Sequence, residues 1–320
     1  MVRQKVIIDT DPGIDDAMAI FAAMGEPGIE LLGLTTTFGN VSVDQATRNA
    51  LTLLEMAGRT IPVVRGAERP LYRTAMPYPD FVHGADGFGN LNLPAPQGRA
   101  VGQDAAAFMV EQVLQHPGEV SLVAVGPLGN LARALALEPS IATRVRQVVI
   151  MGGTIVEGGN VTPVAEANIY ADPEAADRVM AADWPLTLVG LDVTQQVLLS
   201  RALFADIAAH NPRVGPFLQQ AAEFYIRFYE TERDAVDGCF GHDISAVACV
   251  VRPELFGREQ GSICVATEGV AAGQTIMKRK ARTYVLDDWE RRSPKQVCLQ
   301  VDAPALIRWF RECLTGGCWQ

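Results

Sequence analysis

Long apolar runs are missing from this chain of 320 residues, although 48% of its residues are hydrophobic. No uninterrupted apolar stretch reaches the ~18 residues that a membrane-spanning helix requires. The N-terminal sequence MVRQK also lacks the apolar segment and the small-residue cleavage site of a secretory signal. These absences exclude a membrane protein from our expectations and favour a cytoplasmic protein with a sizeable buried core.

Paired cysteines and clustered positive charge are missing too. The six cysteines show no CxxC spacing, which argues against a zinc site or a disulfide framework and favours reduced packing residues. The formal net charge is -10, so a nucleic-acid backbone is not an expected partner. Because neither a linker nor an internal repeat divides the chain, we predict a single domain over residues 1–320 that binds a small molecule.

The most unusual stretch that the chain does contain is VIIDTDPGIDDA, at residues 6–17. Its first residues predict a buried strand, and four carboxylates follow closely: Asp9, Asp11, Asp15 and Asp16. Acids crowded after a buried strand need an offsetting charge, and a bound cation would supply it. Because every available ligand atom is an oxygen, we expect a hard cation, and an irregular loop suits Ca²⁺ better than Mg²⁺.

The same acids have other possible roles. Any one of them could cap a helix, or interact with the dipole of the helix that begins near Asp15. An EF-hand loop is excluded, because a loop starting at Asp9 requires a glutamate where the chain has Ile20. An aspartate-nucleophile phosphatase remains the main alternative enzyme, since Asp9-Thr10-Asp11 provides two carboxylates one residue apart.

The rest of the chain alternates between strand and helix patterns. Buried-strand patterns lie at Ile29–Thr36, Val120–Val125, Gln147–Met151 and Leu186–Val189, with later ones near Ile263–Ala266, Arg282–Leu286 and Val297–Val301. This alternation predicts an α/β fold with a mainly parallel central sheet flanked by helices, in an open Rossmann-like arrangement. Ligands of such sheets bind beyond the carboxyl ends of the strands, which selects Asp11, Asn40, Val125-Gly126 and Met151-Gly152-Gly153.

Three further segments carry residue types that are common in functional sites. The segment His83–Asn90 is rich in glycine around a histidine and an acid, as in a loop that closes over a ligand. The pair His242-Asp243 precedes an apolar helix pattern at Ile244–Val251, where a structural histidine and a helix cap are the alternatives. An aromatic run indicates either a core-facing stripe or a pocket wall for a flat ring: Phe224, Tyr225, Phe228 and Tyr229.

Taken in order, these pieces resemble the inosine/uridine-preferring nucleoside hydrolase family. The matching segments are DTDPGIDD (9–16), TTTFGN (35–40), HGADGFG (83–89), VGPLGN (125–130), NVTPVAEANIYADPEAA (160–176) and HD (242–243). The acidic opening motif and the EANIYADPEAA segment are the specific ones, and the resemblance covers about the first 250 residues. One departure is Ile244, where the family commonly has proline.

The resemblance implies a ribonucleoside hydrolase of the inosine, uridine and cytidine class, which releases ribose and the free base. It implies that Ca²⁺ is held by Asp11, Asp16, Asp243 and the backbone carbonyl of Val125. Asp11 would also act as general base on the metal-bound water. A non-catalytic, Ca²⁺-dependent nucleoside or sugar binder is the alternative from another functional class.

The resemblance also implies a set of substrate contacts. The ribose would be bound through its 2′-hydroxyl by Asp15, through its 3′-hydroxyl by Asn168, through its 5′-hydroxyl by Asn160 and Glu166, and by a further contact from Asn40. The departing base requires a proton, which a histidine can supply near neutral pH. We assign this role to His242, with His83 as the second candidate. The base itself would be contacted by Tyr225, Tyr229 and Arg233. Family members are generally dimers or tetramers, so we expect a homo-oligomer.

Overall fold

Strands and helices alternate through the residues that a computed structural model of the chain describes, which are 3–232, 236–279, 284–285 and 288–319. The strands are β1 (Gln4–Thr10), β2 (Ile29–Thr36), β3 (Val63–Arg65), β4 (Val120–Ala124), β5 (Gln147–Met151), β6 (Leu186–Val189), β7 (Leu198–Leu199), β8 (Cys239–Phe240), β9 (Phe256–Val265), β10 (Thr275–Arg279) and β11 (Lys295–Val301). The helices are α1 (Ile14–Gly25), α2 (Val43–Ala57), α3 (Asp80–His83), α4 (Ala105–Gln115), α5 (Gly129–Leu137), α6 (Ile141–Arg144), α7 (Ala167–Ala171), α8 (Pro173–Ala181), α9 (Leu191–Thr194), α10 (Arg201–His210), α11 (Gly215–Glu232), α12 (His242–Val251) and α13 (Ala303–Thr315).

One large sheet runs through the molecule. Its strands lie in the order β10-β9-β11-β6-β5-β4-β1-β2-β3. From β11 to β3 neighbouring strands are parallel, whereas β9 runs antiparallel to both β10 and β11. Strands β7 and β8 pair separately as a small antiparallel ribbon. The predicted α/β fold with a mainly parallel central sheet is therefore confirmed.

Strand β1 lies inside the sheet because its residues are apolar on both faces. Val6 and Ile8 pack into one hydrophobic core together with α1, and Ile7 packs into a second core with residues of α4 and α5. All three side chains are essentially inaccessible to solvent, and each contributes roughly 1.5–3 kcal/mol by its burial. Burial of both faces is typical of parallel sheets that helices cover on each side.

The strand register brings the functional segments to one edge of the sheet. Asp9 in β1 is aligned with Thr35 in β2 and with Ala124 in β4. Because these strands are parallel and in step, the residues that follow them leave the sheet at the same edge. The loops containing Asp11, Asn40 and Val125 therefore begin side by side.

Several predicted elements have the predicted bounds, and one differs in a way that matters for the site. Strands β2, β5 and β6 begin and end where the sequence patterns place them. Helix α12 begins at His242 instead of Ile244, so His242 and Asp243 lie in its first turn. The helix starts there although the chain has Ile244 where the family commonly has proline. Most of the strand predicted at Arg282–Leu286 lies outside the described residues. None of the helices in the described part of the chain is long and apolar enough to cross a membrane.

Candidate active site

A cavity of about 560 Å³ opens at the carboxyl edge of the parallel strands. One side of it is lined by residues that follow or end β1, β2, β4 and β5, namely Asp11, Asn40, Val125 and Met151. Further lining is supplied by α11 and by the segment 76–83. Its volume lies in the range of small-molecule sites in proteins.

Buried carboxylates form a cluster at the strand side of the cavity. One carboxylate oxygen each from Asp15, Asp16 and Asp243 lie within 4.8 Å of one another. Burial raises the pKa of Asp243 well above its ordinary value, and the charges of Asp15, Asp16 and Asp11 raise it further. Four acids that destabilise one another's ionised forms in this way need an opposite charge to remain ionised near neutral pH.

Asp16 is held at the start of α1 by hydrogen bonds. Its Oδ1 accepts from the Thr10 hydroxyl and the Asp11 amide, and its Oδ2 accepts from the Gly13 amide at 2.9 Å and from Nδ2 of Asn40 at 3.0 Å. Burial, followed by the charge of Asp15, raises its pKa to about 6. The Gly13 contact caps α1, so Asp16 is both a helix-capping residue and a member of the acidic cluster.

The carboxylate of Asp11 is held in place by the backbone around it. Its Oδ2 accepts a hydrogen bond of 2.6 Å from the amide of Asn40. A Cβ atom at either Gly39 or Gly126 would collide with the carboxylate, so both positions require glycine for this close approach. Burial, followed by the charge of Asp16, raises the pKa of Asp11 well above its ordinary value.

The hydrogen bonding of the cluster itself fits a hard cation. The Oδ1 atoms of Asp11 and Asp15 are buried and have no hydrogen-bond partner among the described residues. Leaving a buried charged oxygen unpartnered costs free energy that coordination to a cation would offset. The available donors are all oxygens, which suits Ca²⁺ or Mg²⁺ and not a thiolate-preferring metal.

The segment after β5 supplies polar groups on the neighbouring wall. Nδ2 of Asn168 donates to the carbonyls of Val125 at 2.9 Å and Met151 at 3.2 Å. The carboxylate of Glu166 caps α7, accepting from backbone amides that include those of Asn168 and Gly153. Burial raises the pKa of Glu166 to about 7. Oδ1 of Asn160 accepts from the amide of Ala167 at 3.0 Å.

Two buried histidines face the cavity in different electrostatic settings. The amide of Ile14 donates to Nδ1 of His83 at 3.3 Å, and burial lowers the pKa of His83 to about 4. His83 is therefore neutral near pH 7, with its proton on Nε2. His242 is bonded at both ring nitrogens, through Nδ1 to the Thr194 hydroxyl at 2.8 Å and through Nε2 to the Tyr229 hydroxyl at 2.9 Å.

The structure brings the predicted site residues together. Asp16 is fully buried and is not among the residues that line the cavity. The other predicted site residues all line it: Asp11, Asp15, Asn40, His83, Val125, Asn160, Glu166, Asn168, His242 and Asp243. Tyr225, Phe228 and Tyr229 also line it, and Tyr225 and Tyr229 belong to the hydrophobic core as well. Both interpretations of the aromatic run therefore apply. Arg233, the third expected base contact, lies outside the described residues.

Some residues at the cavity were missed by the sequence interpretation. Gln195 lines it, and the preceding Thr194 contacts His242. Both follow β6 closely, so the rule that selected the residues after β1, β2, β4 and β5 would have selected them also. Phe81 lies in the proline-rich segment before His83 and contacts Phe228, with ring centroids 5.8 Å apart.

The chain is similar in sequence and fold to nucleoside hydrolases. Residues 6–308 match the family model described as inosine-uridine preferring nucleoside hydrolase. The chain is 42% identical over 314 residues to the probable uridine nucleosidase 1 of Oryza sativa subsp. japonica, which covers 98% of this chain and 97% of the relative. A solved plant nucleoside hydrolase superposes with a TM-score of 0.94 at 38% identity, covering 98% of this chain and 99% of that one. A purine-preferring ribonucleoside hydrolase from Gardnerella vaginalis superposes with a TM-score of 0.91 at 34% identity, covering 98% of each chain.

Proposed function

This chain belongs to the inosine-uridine preferring nucleoside hydrolase family, and we propose that it hydrolyses the N-glycosidic bond of ribonucleosides with Asp11 as general base and Ca²⁺ as its metal. The observation that carries the proposal is the cluster of Asp15, Asp16 and Asp243 carboxylates. Asp11 lines the same cavity as Asp15 and Asp243, and its charge raises the pKa of Asp243. We include uridine among the substrates because the relative from Oryza is named a uridine nucleosidase.

The proposed metal ligands are Asp11, Asp16, Asp243 and the carbonyl oxygen of Val125. A bound divalent cation would supply positive charge that offsets the acids and lowers the pKa of a coordinated water. The preference for Ca²⁺ over Mg²⁺ rests on the number of carboxylates and on their position in loops and first helical turns, since Ca²⁺ accepts irregular geometry. Asp16 already accepts four hydrogen bonds, so it would exchange one of them for the metal.

Asp11 is suited to remove the proton from the attacking water. The bond from Asn40 fixes one carboxylate oxygen, and the other has no hydrogen-bond partner among the described residues. In the proposed step this second oxygen takes a proton from water while the water oxygen bonds to C1′ of the ribose. The bond from C1′ to the base nitrogen breaks, and its electrons leave with the base.

The carboxylates also act on the sugar. Breaking the bond at C1′ develops positive charge on the ribose ring, and fixed negative groups nearby stabilise that charge as it forms. In this proposal Asp15 binds the 2′-hydroxyl, Asn168 the 3′-hydroxyl, and Asn160 with Glu166 the 5′-hydroxyl, while Asn40 lies beside the ribose.

His242 is the better candidate for protonating the departing base. His83 is neutral near pH 7 because burial lowers its pKa to about 4, and its Nδ1 is occupied by the Ile14 amide. We therefore assign His83 to substrate contact. His242 lines the cavity beside Tyr229, within the aromatic wall that would contact the base.

Replacing His242 by alanine should slow uridine hydrolysis by about 100-fold while changing turnover of p-nitrophenyl riboside by less than about three-fold. Nitrophenolate leaves without a proton, whereas uracil requires one. The measurement is kcat for both substrates, with the exposed His210→Ala variant as control. Equal losses on the two substrates would remove His242 from the acid role.

Replacing Asn160 by alanine should raise KM for uridine by about ten-fold, the effect of one lost hydrogen bond of ~1.4 kcal/mol. Its Oδ1 is used by the Ala167 amide, which leaves the amide nitrogen to donate to the 5′-hydroxyl. The same variant should bind 5′-deoxyuridine almost as well as the unaltered enzyme does. If KM rises equally for both nucleosides, the 5′-hydroxyl assignment is wrong.

Incubation with uridine, inosine and cytidine, followed by a reducing-sugar assay with and without chelator, tests the proposed function. Chelator-sensitive release of ribose is expected. Binding of uridine without ribose release would instead indicate a non-catalytic binder.

The phosphatase alternative requires Asp9 at the site, but Asp9 is bonded to Thr35 and Asn130 and is not among the residues that line the cavity. Assembly as a dimer or tetramer and a cytoplasmic location stay predictions.

A further inference from the structure

A series of buried hydrogen bonds connects the acidic cluster to His242 and continues beyond it. The Tyr225 hydroxyl donates to Oδ2 of Asp15 at 3.4 Å, and it lies 3.1 Å from the Tyr229 hydroxyl. The Tyr229 hydroxyl is 2.9 Å from Nε2 of His242, and the Thr194 hydroxyl is 2.8 Å from Nδ1. None of these five residues is more than 8% exposed, so water does not compete freely for these bonds.

The direction of these bonds follows from the carboxylate at one end. The Tyr225 hydroxyl donates its single proton to Oδ2 of Asp15. The Tyr229 hydroxyl then donates to Tyr225, which uses its own single proton. Nε2 of His242 must therefore donate to Tyr229. The series thus keeps a proton on Nε2, the nitrogen on the Tyr229 side of the ring.

The remaining nitrogen of His242, Nδ1, faces the Thr194 hydroxyl. We propose that Thr194 is a positioning residue for the reaction, whose hydroxyl holds the His242 ring with Nε2 on the Tyr229 side, at the aromatic wall where the departing base would take its proton. This inference rests on the proposed role of His242 as the acid. For the ring to be neutral after Nε2 gives its proton to the base nitrogen, Nδ1 must carry a second proton during the step, and the Thr194 hydroxyl oxygen can accept a hydrogen bond from it before and after the transfer.

The location of Thr194 favours a fixed contact. It is the last residue of α9, which begins directly after β6 ends at the carboxyl edge of the sheet. Its side chain is fully buried, and His242 lies in the first turn of α12. Both partners are therefore carried by helical turns packed at the same edge, and elements of this kind position side chains more narrowly than exposed loops do.

The test compares Thr194→Val, which removes the hydroxyl at nearly constant shape, with Thr194→Ser, which retains it. Thr194→Val should lower kcat for uridine by about ten-fold, with KM changed by less than about two-fold. Turnover of p-nitrophenyl riboside by the same variant should stay within about two-fold of the unaltered enzyme. Thr194→Ser should stay within about two-fold on both substrates.

If the hydroxyl had only a structural role, its loss would lower stability or would lower turnover of both substrates alike. Such a role would not act through the proton, which only the uracil leaving group needs. Equal losses on both substrates, or no loss on uridine, would therefore overturn the proposal. If the valine variant does not fold, Thr194→Ala removes the same hydroxyl. Comparing its kcat for uridine and for p-nitrophenyl riboside then tests the proposal in the same way.

The His242→Ala variant separates this proposal from the one on which it rests. If His242→Ala affects uridine selectively and Thr194→Val does not, only the role of Thr194 is wrong. If His242→Ala affects both substrates equally, the assignment of the acid is wrong and the role of Thr194 is overturned with it. In that case, release of ribose by the unaltered chain still tests the hydrolase function independently.

Discussion

Replacing Asp11 by asparagine should lower kcat for uridine by about 1,000-fold, within the range that positioned acid–base groups contribute. Asparagine keeps the shape of the side chain and an oxygen atom, but it cannot take a proton from water. The effect should appear mainly in kcat, because Asp11 is not assigned a bond to the ribose in the ground state. The measurement is steady-state kinetics with uridine over a range of concentrations.

Loss of metal affinity could also explain such a result, since Asp11 is a proposed ligand as well as the base. Calorimetric titration with Ca²⁺ separates the two roles: a variant that still binds Ca²⁺ and is inactive has lost the base. The control is Asp80→Asn, which removes an exposed negative charge from α3 near the cavity and should leave kcat unchanged. Near-normal turnover by Asp11→Asn would contradict the proposed mechanism.

Removal of the metal should abolish activity and should change how stability depends on pH. Burial raises the pKa of Asp15 to about 6 and that of Glu166 to about 7, whereas in an unfolded chain both are about 4. At pH values between about 4 and about 7, the folded, metal-free protein therefore binds more protons than the unfolded chain does. Its free energy of unfolding should decrease as the pH rises from about 4 to about 7.

A bound cation requires the ionised acids, so its stabilising effect should increase over the same pH range. At pH 8 and 100 times its dissociation constant, Ca²⁺ would add about 2.7 kcal/mol to the free energy of unfolding, which raises Tm by roughly 5 °C. At pH 5 the increase should be much smaller. Thermal unfolding in chelator and in Ca²⁺ from pH 5 to pH 8 measures this, with Mg²⁺ as the matched comparison. A metal effect on Tm that is larger at pH 5 would contradict the proposed site.

The sequence predicts the fold well where local pattern and topology agree. Strand β1 is recognisable from Val6–Ile8 because three apolar β-branched residues in succession suit a strand that is buried on both faces. Once parallel strands are expected, the rule for their carboxyl ends places Asp11 beside Asn40 and Val125. Residues far apart in the sequence are thereby assigned to one site without any knowledge of side-chain contacts.

The details of the site depend on contacts that no local pattern contains. Asp9 and Asp11 look equivalent in the sequence, but the strand ends at Thr10 and the two carboxylates acquire different surroundings. Asp9 is bonded by Thr35 and Asn130, whereas Asp11 faces the cavity. Similarly, the contact between His242 and Thr194 joins residues 48 positions apart, and it is set by the packing of two short helical turns.

The residues around Asp11 and the aromatic residues of the cavity differ in the substitutions that they tolerate. Asp11 is confined by main-chain atoms at Gly39 and Gly126, so almost any substitution there would displace the carboxylate. Phe81 and Phe228 line the cavity through side chains that make no hydrogen bond of this site. A laboratory effort to redirect this catalyst toward unnatural or bulkier nucleobases should therefore randomise these two positions. It should keep Tyr225 and Tyr229, whose hydroxyls connect Asp15 to His242.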